Sequence, residues 1–387
     1  MKNNRTFLEK LLDGTEVEWK PLKKVCNFIS TGKLNANAMD ENGIYPFFTC
    51  NEKPYKINNY AFDMEAILIS GNGSQVGHLN YFKGKFNAYQ RTYVIGEFDN
   101  NALVMYLYHY LNFKLRDYIT INSKKGSVPY ITLPMLEKFE IPIPPLSVQT
   151  EIVRILDTLT ALTSELTSEL ILRQKQYEYY REKLLSEEEL GKVGFEWKTI
   201  DEISKKISSG GTPTTSNNGY YDNGTIPWLR TQEVDFKEIW DTNIKITEDG
   251  LNNSSAKWIP ANCVIVAMYG ATVGKTAINK IPLTTNQACA NIEINDKLAC
   301  YRYIFHYLTS KYEYIKSLGS GSQTNINAQI IKKLKVPVPP IEEQQRIVSI
   351  LDKFETLTHS ITEGLPLAIE QSQKRYEYYR ELLLNFS

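Results

Sequence analysis

A chain of 387 residues, 42% of them hydrophobic, can bury more than one core, and its 44 basic residues balance its 44 acidic ones. No apolar run approaches membrane-spanning length, and Met1-Lys2-Asn3-Asn4-Arg5 before Phe7-Leu8-Glu9-Lys10 is too charged for a signal peptide. Neutrality removes the usual signal of a basic nucleic-acid-binding domain without arguing for or against nucleic acid, so any positive surface would be local or supplied by other subunits; five cysteines without a CxxC pair predict reduced thiols in a cytoplasmic protein with no structural zinc.

In chain order the first half opens on Glu18-Trp19-Lys20 and a helical or turn segment that ends Ile29-Ser30-Thr31-Gly32-Lys33. The apolar run Ala66-Ile67-Leu68-Ile69-Ser70 leads into the glycine turn Gly71 to Gly77 and predicts a hairpin. Asn87-Ala88-Tyr89-Gln90-Arg91 comes next, then a helical stretch from Leu103 to Leu115 and the polar loop Ser123-Lys124-Lys125-Gly126-Ser127. The second half repeats this plan with other residues: Glu196-Trp197-Lys198, Ile207 to Pro213, and Cys263 to Ala267 before Gly270 to Gly274. Thr284-Thr285-Asn286-Gln287-Ala288, a helical stretch from Tyr301 to Leu318 and Ser320 to Thr324 complete it.

Each half then runs into a much closer copy. Ile141-Pro142-Ile143-Pro144-Pro145 precedes a helix from Leu146 to Leu185, and Val336-Pro337-Val338-Pro339-Pro340 precedes its counterpart. Pro145 or Pro340 can open a helix, where its missing N–H is an orphan anyway, and Ser147 or Glu342 with Glu343 suits a positive helix N-terminus. Ile152, Leu156, Leu159, Leu166, Leu170, Tyr177 and Tyr180 recur at coiled-coil spacing, with Thr163 and Arg173 as polar breaks. Ile347, Leu351, Phe354, Ile361 and Leu365 keep the same rhythm. The two seams are expected to pair antiparallel within one molecule; the alternative is a seam between molecules. Pro340 lies 195 residues after Pro145 and Tyr376 lies 199 after Tyr177, so the second copy carries four more residues, expected as a stutter. Pro366 after Gly364 should kink or break the second helix. Tyr177, Tyr179, Tyr180, Tyr376, Tyr378 and Tyr379 belong to coil core or subunit interface rather than to base stacking.

Two stretches imitate catalytic motifs. Gly270-Ala271-Thr272-Val273-Gly274-Lys275-Thr276 resembles a phosphate loop, but three residues separate its glycines where four are needed. The next stretch, Ala277 to Pro282, reads as a return strand rather than the required helix. Asp13 with Glu18-Trp19-Lys20 loosely resembles a nuclease carboxylate set, yet its echo at Trp197 lacks the upstream acid. Trp19 and Trp197 are therefore expected as core anchors. No Asn-Pro-Pro-aromatic motif of amino-methyltransferases occurs, and no Ser/His/Asp or Cys/His set recurs in both halves.

The stretch Ser320-Gly321-Ser322-Gln323-Thr324-Asn325-Ile326-Asn327 with Val336-Pro337-Val338-Pro339-Pro340-Ile341-Glu342-Glu343-Gln344 resembles type I restriction-modification specificity subunits. There it marks the end of a target-recognition domain and its junction with a conserved helix, and the two-half layout extends the likeness over the whole chain. The first copy departs at Leu146-Ser147-Val148-Gln149, without the acidic residue before the glutamine. The resemblance implies an α+β fold: two pseudo-repeated mixed α/β target-recognition domains separated by a long antiparallel, intramolecular two-helix coiled coil. The divisions would be 1–145, a spacer helix 146–186, 187–340, and a second spacer helix 341–387.

The resemblance further implies a non-catalytic subunit that reads a bipartite asymmetric site in double-stranded DNA, one half per domain. The helices would dock two methyltransferase subunits, which carry S-adenosylmethionine, and a restriction subunit can join; no cofactor or metal is expected on this chain. Side chains able to meet phosphates or base edges are Lys33, Gln75, Gln90, Arg91, Lys124 and Lys125 in the first domain. Arg230, Gln232, Lys275, Gln287 and Gln323 are their counterparts in the second. Thr163-Ser164-Glu165-Leu166 is repeated as Thr167-Ser168-Glu169-Leu170, and each unit spans about 6 Å of helix. The number of such units is expected to set the separation of the half-sites. The rivals are a stand-alone methyltransferase or nuclease, which would turn over by itself, and a protein-binding coiled-coil scaffold without DNA preference.

Overall fold

The computed structural model describes residues 6–122, 129–319, 325–360 and 362–386. The chain divides into two compact units, Met1–Thr167 with Ala368–Ser387, and Ser168–Leu367. Each unit therefore contains its own sheets and one part of each spacer helix, whereas the sequence division sets those helices apart.

In the first unit a six-stranded sheet runs Cys26–Thr31, Thr92–Phe98, Phe62–Ser70, Leu79–Ala88, Tyr45–Phe48, Tyr55–Ile57. The run Ala66 to Ser70 is buried throughout because both faces of its strand are covered. Alternation separates the faces: Ile67 and Ile69 join the core that includes Tyr106, Leu107 and Leu111, while Ala66 and Leu68 meet Phe48, Phe86 and Val94. The second unit repeats the four-strand order with Ser204–Ser209, Cys289–Ile294, Val264–Ala267 and Thr276–Asn279, and adds Lys237–Ile239 at the edge. A second sheet of four short strands contains Ile226–Leu229 and Leu283–Thr285. Both expected hairpins are present: Ile69 registers with Leu79, and Val266 with Thr276. The segments ending Ile29-Ser30-Thr31 and Ile207-Ser208-Ser209 are sheet strands, a correction to the helical or turn reading, since each pairs along its length with a neighbouring strand.

A bracing helix packs on each sheet, Val104–Asn122 in the first unit and Tyr301–Ser310 in the second. The first spacer helix is unbroken from Leu146–Leu184. The second is two helices, Ile341–His359 and Gly364–Leu384. The four extra residues are thus no stutter: four positions separate the two helices, and Pro366 lies in the first turn of the later one, where its missing N–H costs nothing. In the first unit Ile152 and Leu156 share a core with Leu383 and Leu384, and Thr163 Oγ1 lies 2.8 Å from Ser372 Oγ. In the second, Tyr177 and Tyr180 meet Phe354, and Leu184 joins Ile347 and Leu351. Within each unit the spacer helices therefore pair antiparallel. Leu159 is buried, Leu166, Leu170 and Leu365 are half-buried, and Ile361 lies outside the described residues.

Trp19 and Trp197 are not core anchors. They are 47% and 44% exposed on two-stranded ribbons, paired with Pro142 and Pro337. A ribbon of two strands covers one face only, so its outward side chains stay in water. Among the described residues no helix is long and apolar enough to cross a membrane.

Candidate nucleic-acid interface

Two constellations recur in both units, one rigid and buried, the other exposed. The buried one joins the bracing helix to the spacer helix. Gln149 is fully buried; its Oε1 accepts from Leu103 N–H at 2.8 Å, and its Nε2 donates to the carbonyls of Asn101 and Pro144 at 2.8 Å each. Gln344 repeats this with Cys300 N–H at 2.8 Å and the Pro339 carbonyl at 2.9 Å. Tyr106 and Tyr303 donate to the carbonyls of Pro142 and Pro337 at 2.7 and 2.9 Å. His109 meets Asp157, and His306 meets Asp352, through Nε2 and Oδ1. The proline–glutamine signature is thus a bracket that satisfies polar groups where a helix leaves a domain. Sequence reading missed its other half, although Tyr106-Leu107-Tyr108-His109-Tyr110-Leu111 and Tyr303-Ile304-Phe305-His306-Tyr307-Leu308 match at four of six positions.

The second unit adds Arg302, whose guanidinium lies 2.6 Å from Glu238 and 2.7 Å from both Asp352 and Glu355. Burial alone would raise the pKa of Asp352; hydrogen bonds from His306 and Arg302 outweigh it and hold the carboxyl below its usual range. His306, Asp352 and Glu355 form the one set among the described residues with donor atoms close enough to hold a cation, but Arg302 already supplies the positive charge. Burial pushes the thiols of Cys26, Cys263 and Cys289 up to about 12, which leaves them inert.

The exposed constellation lies at the strand ends. In the first unit Gly71 N–H bonds the Arg91 carbonyl, Gln90 N–H the Leu34 carbonyl, and Tyr89 N–H the Phe48 carbonyl. Three loops therefore meet where Lys33, Gln75, Gln90 and Arg91 are exposed. In the second unit Gly211 N–H bonds Thr285, Asn286 N–H bonds Leu229, and Met268 N–H bonds Ala288, all at carbonyls. Gln232 and Gln287 are exposed there, and Arg230 is half-buried with no hydrogen-bond partner for Nε among the described residues. Lys275 is engaged, 2.6 Å from Asp235, and the glycine turn before it joins antiparallel strands rather than a helix. Lys124, Lys125 and Gln323 lie outside the described residues.

These paired surfaces coincide with what comparison finds. The family described as the type I restriction modification DNA specificity domain matches residues 15–173 and 192–371. The chain belongs to that family. A relative from Haemophilus influenzae is 40% identical across the whole of both chains. The type I restriction enzyme EcoR124I/EcoR124II specificity subunit of Escherichia coli is 37% identical over 98% of this chain and 97% of its own. The crystal structure of a type I restriction-modification system S subunit from M. genitalium shares the fold, with a TM-score of 0.61 at 16% identity, covering 97% of this chain and 98% of that one. Both matched regions of the specificity-domain family contain one bracket and one exposed loop surface.

Proposed function

We propose that this chain is the DNA-reading subunit of a type I restriction-modification complex. Each unit reads one part of a split, asymmetric site in double-stranded DNA, and the chain itself performs no chemistry. Two methyltransferase subunits, loaded with S-adenosylmethionine, dock on the spacer helices, and restriction subunits join them in the cytoplasm. The observation that carries this reading is the contrast between constellations: the buried bracket repeats its glutamine, tyrosine, histidine and aspartate, while the exposed loops on the same frame present mostly different side chains. A repeated frame with unlike tips suits two reading heads; a duplicated enzyme would repeat its tips. Tyr179 and Tyr378, 57% and 63% exposed at matching positions of the spacer helices, give each unit an equivalent aromatic anchor for one copy of a shared partner.

The test is co-expression with the cognate methyltransferase subunits, then mapping of methylated adenines across the host genome. A split motif is expected. Methylation without sequence preference, or turnover by the chain alone, overturns the reading.

A further inference from the structure

Among the described candidate residues, the exposed surfaces share one residue type at one matched position. Gln90 and Gln287 occupy the same place in the two units. Phe47 and Phe48 run parallel to Asn87 and Ala88, and Trp228 and Leu229 run parallel to Thr284 and Thr285, so each glutamine lies two residues beyond a matched strand end. Both neighbours of each glutamine are pinned alike. Tyr89 N–H bonds the Phe48 carbonyl at 2.8 Å, as Asn286 N–H bonds Leu229 at 2.9 Å; the Arg91 carbonyl accepts from Gly71 at 2.9 Å, as Ala288 accepts from Met268 at 2.8 Å. A neighbouring loop crosses close by, where a Cβ on Gly32 would lie 1.8 Å from the Ala88 carbonyl oxygen, and one on Gly210 1.7 Å from that of Thr285. Only glycine permits that approach.

Each glutamine side chain is exposed on a pedestal fixed on both sides. In the first unit no described residue hydrogen-bonds the Gln90 side chain, so tying a loop does not account for the repeat. In the second, Thr212 Oγ1 donates to Gln287 Oε1 at 2.5 Å, which orients the amide and leaves its two N–H groups and one lone pair available. A side-chain amide with one donor and one acceptor edge matches N7 and the 6-amino group of adenine in the major groove.

We propose that Gln90 and Gln287 are specificity-determining residues that make the same contact, each reading an adenine, so that the two unlike half-sites share one A·T pair. This rests on the reading that each unit contacts DNA. The test uses the complex with its methyltransferase subunits, and measures the methylated motif together with competition by duplexes altered at single positions. Gln90→Ala is expected to relax one position in one half-site, and Gln287→Ala one position in the other, each losing roughly 5- to 150-fold of discrimination there. Both relaxed positions should be A·T in the unsubstituted site, and Thr212→Val should weaken the second position alone. The inference is overturned if either relaxed position is G·C, if a variant leaves the motif intact, or if it weakens all sequences equally. A wild-type complex with no split motif removes the underlying reading instead, and the inference with it.

Discussion

His109 Nε2 lies 2.7 Å from Asp157 Oδ1, and His306 stands in the same relation to Asp352, also at 2.7 Å. Both imidazoles are buried, and both Nδ1 atoms lack a partner among the described residues. Each contact fastens a sheet domain to a spacer helix within its own unit. Replacing His109 with alanine removes the side-chain partner of Asp157, replacing His306 removes one of two partners of Asp352, the other being Arg302, and either change opens a small cavity. About 1–3 kcal/mol of stability should be lost, read as a lower urea midpoint at an unchanged slope. An unchanged midpoint would mean that the contact does not hold the helix.

Acid should act on the two units differently. Burial lowers the pKa of His109 against the opposing pull of Asp157. Its contribution is complete above the ordinary imidazole value near 6.5 and disappears as pH falls through the lower folded value. Asp352 is also held low, but its contribution lasts until pH passes below the ordinary carboxylate range. The first unit should therefore lose hydrogen-exchange protection around Tyr106 to Leu111 at a higher pH than the second loses it around Tyr303 to Leu308. Simultaneous loss would contradict the assignment.

The glutamines of the brackets should tolerate little change. Gln344→Leu would leave the Cys300 N–H and the Pro339 carbonyl without their buried partner, and Gln149→Leu would abandon three such groups. Each orphan costs about 1–3 kcal/mol, so Gln149→Leu should be the more damaging of the two by thermal unfolding.

Deleting Thr167 to Leu170 shortens an uninterrupted helix by about 6 Å and rotates the remaining C-terminal part by about 40°. Two base pairs rise roughly 7 Å, so the half-sites should come about two base pairs closer with their bases unchanged. Motif mapping decides this: the same spacing would remove the ruler, and altered bases would assign the segment another role.

Much of this was legible along the chain. The Ile152 to Tyr180 seam, the hairpins around Gly71 and Gly270, and the absence of a helix after Lys275 all come from local periodicity and turn chemistry. Trp19 failed as a core residue because hydrophobicity does not say whether a strand has a second face covered. The extra residues before Tyr376 failed as a stutter because a local count cannot tell a continuous, locally unwound coil from two helices with a gap.

Repetition, a property of order along the chain, was enough to establish two related halves, each ending in a helical spacer segment, and the proline–glutamine motif added the resemblance to the family. What the proline–glutamine signature does was decided only in three dimensions, because Gln149 meets partners at Asn101 and Leu103 that no spacing rule connects to it. The stretches around Gln90 and Gln287 already match along the chain, but that each glutamine follows the end of a parallel strand pair depends on which strands lie side by side, and hydrogen bonds between strands settle that.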